Sequence, residues 1–210
     1  MIKEKFGDQV ERVIQLGLPI LFKRPIDPNL LSLSGALICC AAAVALGFGE
    51  FLVGGLLLGL GGLFDLVDGV VARYFGVATA FGAFLDSTLD RLVDMVVLLA
   101  LVIHYALTGH PTLAGVAGVG LVASVLTSYT KARAEAMGVS LPGGIIERGE
   151  RVFLIAAGGV FGLMAPALWV LAVGSTATVV QRFGSARRHL GPESEKSDAA
   201  GGSGEWVHEK

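Results

Sequence analysis

The chain carries too little charge for a soluble domain of its length. Only 16% of its 210 residues are charged, whereas 53% are hydrophobic. The mean hydropathy is +0.70. Soluble domains contain about 25% charged residues, so the composition excludes an ordinary soluble enzyme and favours an integral membrane protein. The net charge of −2 gives no indication of a nucleic-acid partner, and none is expected.

Cysteine is nearly absent. Cys39 and Cys40 are adjacent within an apolar run, which is neither metal-ligand spacing nor a disulfide framework, and we interpret both as packing or lipid-facing residues. Charged residues interrupt the first 24 residues, so no signal peptide is predicted there. The apolar side chains of segment 1–27 fall on one helical stripe, which fits an interfacial amphipathic helix or an ordinary juxtamembrane extension.

Long uncharged runs are what the chain has in abundance. Because a bilayer core requires about 20 apolar residues per helix, we predict an all-α integral membrane protein with six transmembrane helices. The spans are about 30–49, 51–73, 81–107, 112–133 and the two halves of 152–181, which divide near Pro166. The predicted organisation is therefore the amphipathic segment 1–27, a six-helix domain 28–188 and a disordered cytoplasmic tail 189–210.

The lysines and arginines indicate the orientation. The turns after the first, third and fifth predicted spans contain none of the 16 basic residues, so all basic positions fall on one side. The positive-inside rule makes that side cytoplasmic. We expect a multi-pass protein of the plasma membrane with both termini and its active site on the cytoplasmic side.

Four carboxylates interrupt the apolar pattern on this side. Asp65 and Asp68 lie near the end of the second span, and Asp86 and Asp90 near the start of the third. Spacings of three and four residues place each pair on one face of a helix. Carboxylates at membrane depth are costly unless they are paired, hydrated or bound to cations. Two such pairs on neighbouring helices can form the all-oxygen shell that Mg2+ or Mn2+ prefers.

Basic side chains are predicted to converge on the same membrane face. They stand at the ends of the last three spans, where they can hold a phosphate beside the metal cluster, as phosphoryl chemistry requires. The candidates are Lys131, Arg133, Arg148, Arg151 and Arg182.

The carboxylates belong to a longer pattern, D-x2-D-G-x2-A-R-x8-G-x3-D-x3-D, at positions 65–90. Its eight fixed residues resemble the signature of the CDP-alcohol phosphatidyltransferases, which transfer a phosphatidyl group from a CDP-linked lipid to an alcohol and release CMP. The resemblance implies two divalent cations, Mg2+ or Mn2+, held by Asp65, Asp68 and Asp86. Asp90 would lie close to the second cation and act as the general base. The implied contacts of a CDP-diacylglycerol-type lipid are Asp65, Gly69, Ala72, Arg73 and Gly82.

Three further segments bear on the acceptor alcohol. The runs S-Y-T-K-A-R-A-E-A at 128–136, G-I-I-E-R-G-E-R at 144–151 and V-Q-R at 180–182 are similar to phosphatidylinositol phosphate synthases of actinobacteria and archaea. This resemblance implies inositol 1-phosphate as acceptor, with its phosphate on Lys131, Arg151 and Arg182, and with Arg148 and Arg133 as second choices. Glycerol 3-phosphate is the alternative, because basic residues suit any phosphorylated polyol. Family members are often homodimers.

An ion transporter is the remaining alternative class. A transporter would hold its acids near the membrane midplane between repeated halves, whereas these acids cluster at one end of the predicted spans. Asp94 continues the face of Asp86 and Asp90, and we expect it to hydrogen-bond Arg91. The glycine-rich runs at 54–55 and 59–62 are predicted to permit close packing between helices.

Overall fold

The protein is all-helical over residues 27–190, the part of the chain that the computed structural model describes. The predicted amphipathic segment, apart from residue 27, and the tail beyond residue 190 lie outside the described residues. The six helices are α1 (Pro28–Gly47), α2 (Phe51–Tyr74), α3 (Ala80–Leu107), α4 (Pro111–Ala136), α5 (Arg148–Val160) and α6 (Met164–Leu190). The bounds of α1 to α4 agree with the predicted spans to within three residues, and the last apolar run divides before Met164 as predicted, but α5 begins at residue 148 rather than 152 and α6 extends to residue 190 rather than 181.

Local sequence explains where the helices begin and end. The Asp27 side chain accepts a hydrogen bond from the backbone N–H of Asn29 at 2.9 Å, which caps α1 ahead of Pro28. Thr79 caps α3 in the same way through the N–H of Gly82, at 3.0 Å. Each of the first five helices ends two residues before a glycine with positive φ, such as Gly76 (φ 63°) after α2. Glycine adopts this left-handed conformation without a Cβ penalty, so these positions end the helices.

The six helices form a closed ring. Going round it, α1 packs on α2, α2 on α5, α5 on α6, α6 on α4, α4 on α3, and α3 returns to α1. The core inside the ring receives apolar side chains from all six helices, among them Leu46, Leu58, Leu101 and Leu168, which are at most 1% exposed. Helices that follow each other in the chain are therefore not always neighbours in space, since α5 follows α4 in the chain but packs between α2 and α6.

Glycines allow the closest approaches between helices, as predicted. A Cβ on Gly61 of α2 would lie 3.0 Å from the carbonyl oxygen of Gly35 on α1 and would overlap the sulfur of Cys39. A Cβ on Gly159 of α5 would lie 3.0 Å from the Cα of Gly55 on α2. Small residues at such crossings let helix backbones pack closely where lipid provides no hydrophobic drive.

The outer surface is apolar. Large aliphatic and aromatic side chains, including Leu37, Leu56, Phe153 and Val173, are more than half exposed. Four of the helices, α1, α2, α4 and α6, are long and apolar enough to cross a bilayer. A contiguous apolar exterior of this extent fits lipid rather than water, and we conclude that the protein is embedded in a membrane.

Candidate active site

Three of the four predicted metal-binding carboxylates meet at one end of the ring. Asp65 and Asp68 lie in the second half of α2, and Asp86 lies in the second turn of α3. Each offers one carboxylate oxygen, and the three oxygens lie within 4.8 Å of one another. Asp68 is buried and accepts a hydrogen bond from the Ser32 hydroxyl of α1. A cluster of carboxylate oxygens with this proximity fits Mg2+ or Mn2+, which take oxygen ligands.

Asp90 stands one helical turn from Asp86 and has a different partner. Its Oδ1 lies 2.9 Å from Nη2 of Arg148, and Nη1 of the same guanidinium lies 2.5 Å from Oδ2 of Asp65. One arginine from the start of α5 therefore bridges the carboxylate cluster to Asp90. Asp90 is beside the cluster in this structure rather than within the group of three.

A cavity of about 500 Å³ opens on the α1 side of the carboxylates. We refer to it as the α1–α3 cavity, because α1, α2, α3 and the loop before α3 form its walls. Four of the five predicted CDP-lipid residues line it: Gly69, Ala72, Arg73 and Gly82. Asp68 and Asp86 also line it, whereas Asp65 does not, so the carboxylate cluster forms part of the wall. A Cβ on Gly82 would lie 3.1 Å from the side-chain oxygens of both Asn29 and Thr79, which would narrow the space.

A second cavity, of about 290 Å³, is lined by Asp90 but by none of Asp65, Asp68 and Asp86. We call it the basic cavity. Four of the five predicted phosphate-binding residues line it, namely Lys131, Arg148, Arg151 and Arg182. Arg133 does not line it and is exposed on α4. The remaining wall consists of Ser87, Asp90, Arg91, Asp94, Thr127, Ser128, Glu147 and Gly149.

Buried acceptors hold two of these arginines in place. Nη2 and Nε of Arg151 lie 2.6 and 3.1 Å from Oδ2 of Asp94, and both side chains are at most 10% exposed. Arg182 donates to the backbone oxygen of Thr127 and lies 3.9 Å from Oε1 of Glu147. Within the part of the chain that the structure describes, Nε of Arg148 and of Arg182 is buried without a hydrogen-bond acceptor. Such unsatisfied donors favour an anionic ligand in the cavity.

The predicted bond between Asp94 and Arg91 is wrong. Arg91 donates to the backbone oxygen of Ser87 within α3. Asp94 accepts instead from Arg151, which lies 57 positions away on α5. The sequence places Asp94 on the face of Asp86 and Asp90, but its partner depends on the packing of α5 against the ring.

The helix caps near the basic cavity also use charged side chains. Glu147 precedes α5 and forms a capping box with Glu150, whose carboxylate accepts from the N–H of Glu147 at 3.0 Å. Glu147 also accepts from the N–H of Gly144 at 3.2 Å. This cap orients the first turn of α5, which carries both Arg148 and Arg151 towards the cavity.

The architecture and the site define a class of protein. A helical membrane protein with a carboxylate cluster on the wall of one cavity and a fourth carboxylate, Asp90, on the wall of a basic cavity is suited to metal-dependent transfer of a phosphate group from a lipid. Residues 26–181 match the CDP-alcohol phosphatidyltransferase family. The chain belongs to this family, which confirms the resemblance seen in the signature and the predicted class of enzyme.

Two relatives that make phospholipids with an inositol phosphate group, by their names, are similar to most of this chain. The chain is 39% identical to the phosphatidylinositol phosphate synthase of Corynebacterium glutamicum over 173 residues, which cover 78% of this chain and 79% of that protein. It is 36% identical to the archaetidylinositol phosphate synthase of Methanothermobacter thermautotrophicus over 194 residues, or 87% and 94% of the two chains.

Solved structures of Mycobacterium tuberculosis phosphatidylinositol phosphate synthase share the fold. One, with CDP-DAG bound, superposes with a TM-score of 0.72 at 30% identity and covers 87% of this chain and 94% of that one. Another is a complex with manganese and citrate, with a TM-score of 0.71 at 31% identity, covering 86% and 88%.

Proposed function

We propose that this protein transfers the phosphatidyl group of CDP-diacylglycerol, or a related CDP-lipid, to the hydroxyl of inositol 1-phosphate. The products are CMP and a phosphatidylinositol phosphate. The observation that carries the proposal is that the signature carboxylates line two cavities of different character, Asp68 and Asp86 the one and Asp90 the other. The side chains expected to contact the CDP-lipid line one cavity, and the side chains expected to bind a phosphate line the other.

Asp65, Asp68 and Asp86 are the residues proposed to hold divalent cations, with Asp90 next to the second. Bound Mg2+ or Mn2+ would neutralise the diphosphate of the CDP-lipid. In the α1–α3 cavity, Gly69, Ala72 and Gly82 would leave room for the nucleotide. Arg73 would contact the diphosphate there.

In the basic cavity, Lys131, Arg151 and Arg182 would hold the acceptor phosphate, so that the acceptor hydroxyl faces Asp90. Asp90 would accept the hydroxyl proton as the oxygen attacks the phosphatidyl phosphorus. A new P–O bond forms to the acceptor, and the bond to the CMP oxygen breaks with its electron pair on CMP. Arg133 is exposed outside the cavity, and we assign it no contact with the acceptor.

The membrane arrangement is part of the proposal. We infer that α3 also crosses the membrane, and that α5, whose 13 residues extend about 20 Å, crosses only part of the core of roughly 30 Å as the sixth membrane segment of a domain of residues 28–188. The site would face the cytoplasm, because Lys131, Arg148 and Arg182 share its end of the ring. A homodimer in the plasma membrane is proposed from the family resemblance.

Release of CMP by the purified protein tests the function. CDP-diacylglycerol and Mg2+ or Mn2+ are supplied with inositol 1-phosphate, free inositol, glycerol 3-phosphate or serine in parallel. Turnover with inositol 1-phosphate alone is expected. Turnover only with glycerol 3-phosphate would preserve the chemistry but refute the acceptor, and CMP from none of them would refute the proposal for these substrates.

The role of Asp90 has its own test. Asp90→Asn removes the proton acceptor but keeps the size of the side chain, so we expect loss of CMP release with nearly unchanged binding of CDP-diacylglycerol. Binding is measured directly with a labelled lipid. Full activity in this variant would remove Asp90 as the base.

A further inference from the structure

Arg148 occupies a position that the phosphate-binding role does not explain. It lines the basic cavity, yet both of its terminal nitrogens are engaged by carboxylates, at 2.5 Å to Asp65 and 2.9 Å to Asp90. Its side chain is 23% exposed, and those of Asp65 and Asp90 are 30% and 22% exposed. The guanidinium is therefore a partly buried cation shared between two acids that the proposed function assigns to the metal site.

The cluster needs positive charge. Asp65, Asp68, Asp86 and Asp90 are four acidic side chains at the facing ends of two helices that follow each other in the chain, and like charges this close repel one another unless cations compensate them. Among the described residues, Arg148 is the basic side chain in ion-pair contact with this group. It is held there by the capped first turn of α5, so its contact with the acids does not depend on a flexible loop.

We propose that Arg148 is a tethered counter-cation that competes with the divalent cation for Asp65 and Asp90. In the absence of metal it neutralises these two carboxylates and keeps the ends of α2, α3 and α5 together. Metal binding releases the guanidinium of Arg148. Because Arg148 already lines the basic cavity, its released N–H donors then face that cavity. The inference rests on the proposed function, since it requires the carboxylate cluster to bind metal.

Competition and simple positioning predict opposite results. If Arg148 merely orients Asp65 and Asp90 as metal ligands, removing it should weaken metal binding, as loss of supporting hydrogen bonds does elsewhere. If it competes, removing it should strengthen metal binding. A partly exposed ion pair contributes about 1 kcal/mol at most per contact, and 1 kcal/mol corresponds to about fivefold in affinity. Because Arg148 makes two such contacts, we expect Arg148→Gln to bind Mn2+ about 5- to 30-fold more tightly.

The experiment uses the full-length protein in detergent, stripped of metal with a chelator that is then removed, and without any substrate. Mn2+ is titrated, and free Mn2+ is measured by electron paramagnetic resonance. Arg91→Gln is the matched control. It removes the same charge from the same cavity, but the partner of Arg91 within residues 27–190 is the backbone oxygen of Ser87 on its own helix. The control should tighten Mn2+ binding by a smaller factor than Arg148→Gln.

Thermal unfolding provides the second readout. Without metal, Arg148→Gln leaves Asp65 and Asp90 unpaired and should unfold at a lower temperature than the wild type. Saturating Mn2+ should abolish that difference. Arg148→Lys keeps the charge but not the two-armed contact, so it should give a smaller shift of the same sign and carries the test if Arg148→Gln does not fold.

Each outcome decides between the alternatives. Tighter Mn2+ binding in Arg148→Gln than in Arg91→Gln supports competition. Mn2+ binding in Arg148→Gln that is no tighter than in Arg91→Gln overturns it and leaves the transferase proposal intact. Absence of Mn2+ binding in the wild type overturns both the metal site and this inference.

Discussion

The buried pair of Asp94 and Arg151 makes a strong prediction about substrate affinity. In Asp94→Asn the amide keeps one oxygen that can accept from Arg151, but the negative charge is lost. Both side chains are at most 10% exposed, and two guanidinium nitrogens share the one carboxylate oxygen, at 2.6 and 3.1 Å. A hydrogen bond to a charged group contributes about 1.5–3 kcal/mol. If that amount is lost from holding Arg151 against the acceptor phosphate, the acceptor KM rises about 10- to 150-fold.

Steady-state CMP release at saturating CDP-diacylglycerol and varied inositol 1-phosphate measures this effect. Asp94 is a positioning residue in this account, so kcat and the KM for the CDP-lipid should change little. Glu50→Gln is the control, because Glu50 is an exposed acid at the opposite end of the ring. A fall in kcat with an unchanged acceptor KM would refute the reasoning, since it would place Asp94 in the chemical step or in folding.

Two further predictions each compare a substitution with a matched control substitution. Lys131→Ala should raise the acceptor KM, whereas Arg133→Ala should not, because Lys131 lines the basic cavity and Arg133 does not. Equal effects of the two substitutions on the acceptor KM would mean that the cavity does not bind the acceptor. Gly61→Ala should destabilise the protein by about 1–3 kcal/mol, because the added Cβ would overlap Cys39 and approach the Gly35 oxygen at 3.0 Å. Gly115→Ala is the control for Gly61→Ala, since no heavy atom lies within 4 Å of a Cβ built on Gly115. The two variants are compared by thermal unfolding in detergent. Equal stability of the two would contradict the packing argument.

Much of the architecture follows from local properties of the chain. The uncharged runs bounded by proline, glycine and capping residues determined six helices, of which the first four lie within three residues of their predicted bounds, whereas α6 continues to residue 190, beyond the predicted end at 181. The spacings of three and four residues placed Asp65 with Asp68, and Asp86 with Asp90, on single helical faces. The eight-residue signature identified the family, because its side chains lie on two consecutive helices whose relative placement is set by a short connection.

Other features depend on contacts between distant parts of the chain. Arg148 bridges to Asp65 across 83 positions, and Arg151 reaches Asp94 across 57. No periodicity within α5 specifies these partners, since they follow from the insertion of α5 between α2 and α6. For this reason the sequence suggested Arg91 as the partner of Asp94, and it offered Arg148 only as a phosphate ligand.

Lys131 and Arg133 show, on a single helix, which features follow from local sequence and which depend on tertiary packing. Residues two positions apart point to different faces of a helix, so the sequence alone determined that the two side chains diverge. Only the tertiary structure decided that the face of Lys131 meets the basic cavity, because the rotation of α4 about its axis is fixed by its packing on α3 and α6. The sequence thus determined the helices, the signature and the charge available at one membrane face. The packing of the six helices into a ring decided which charged side chains come into contact.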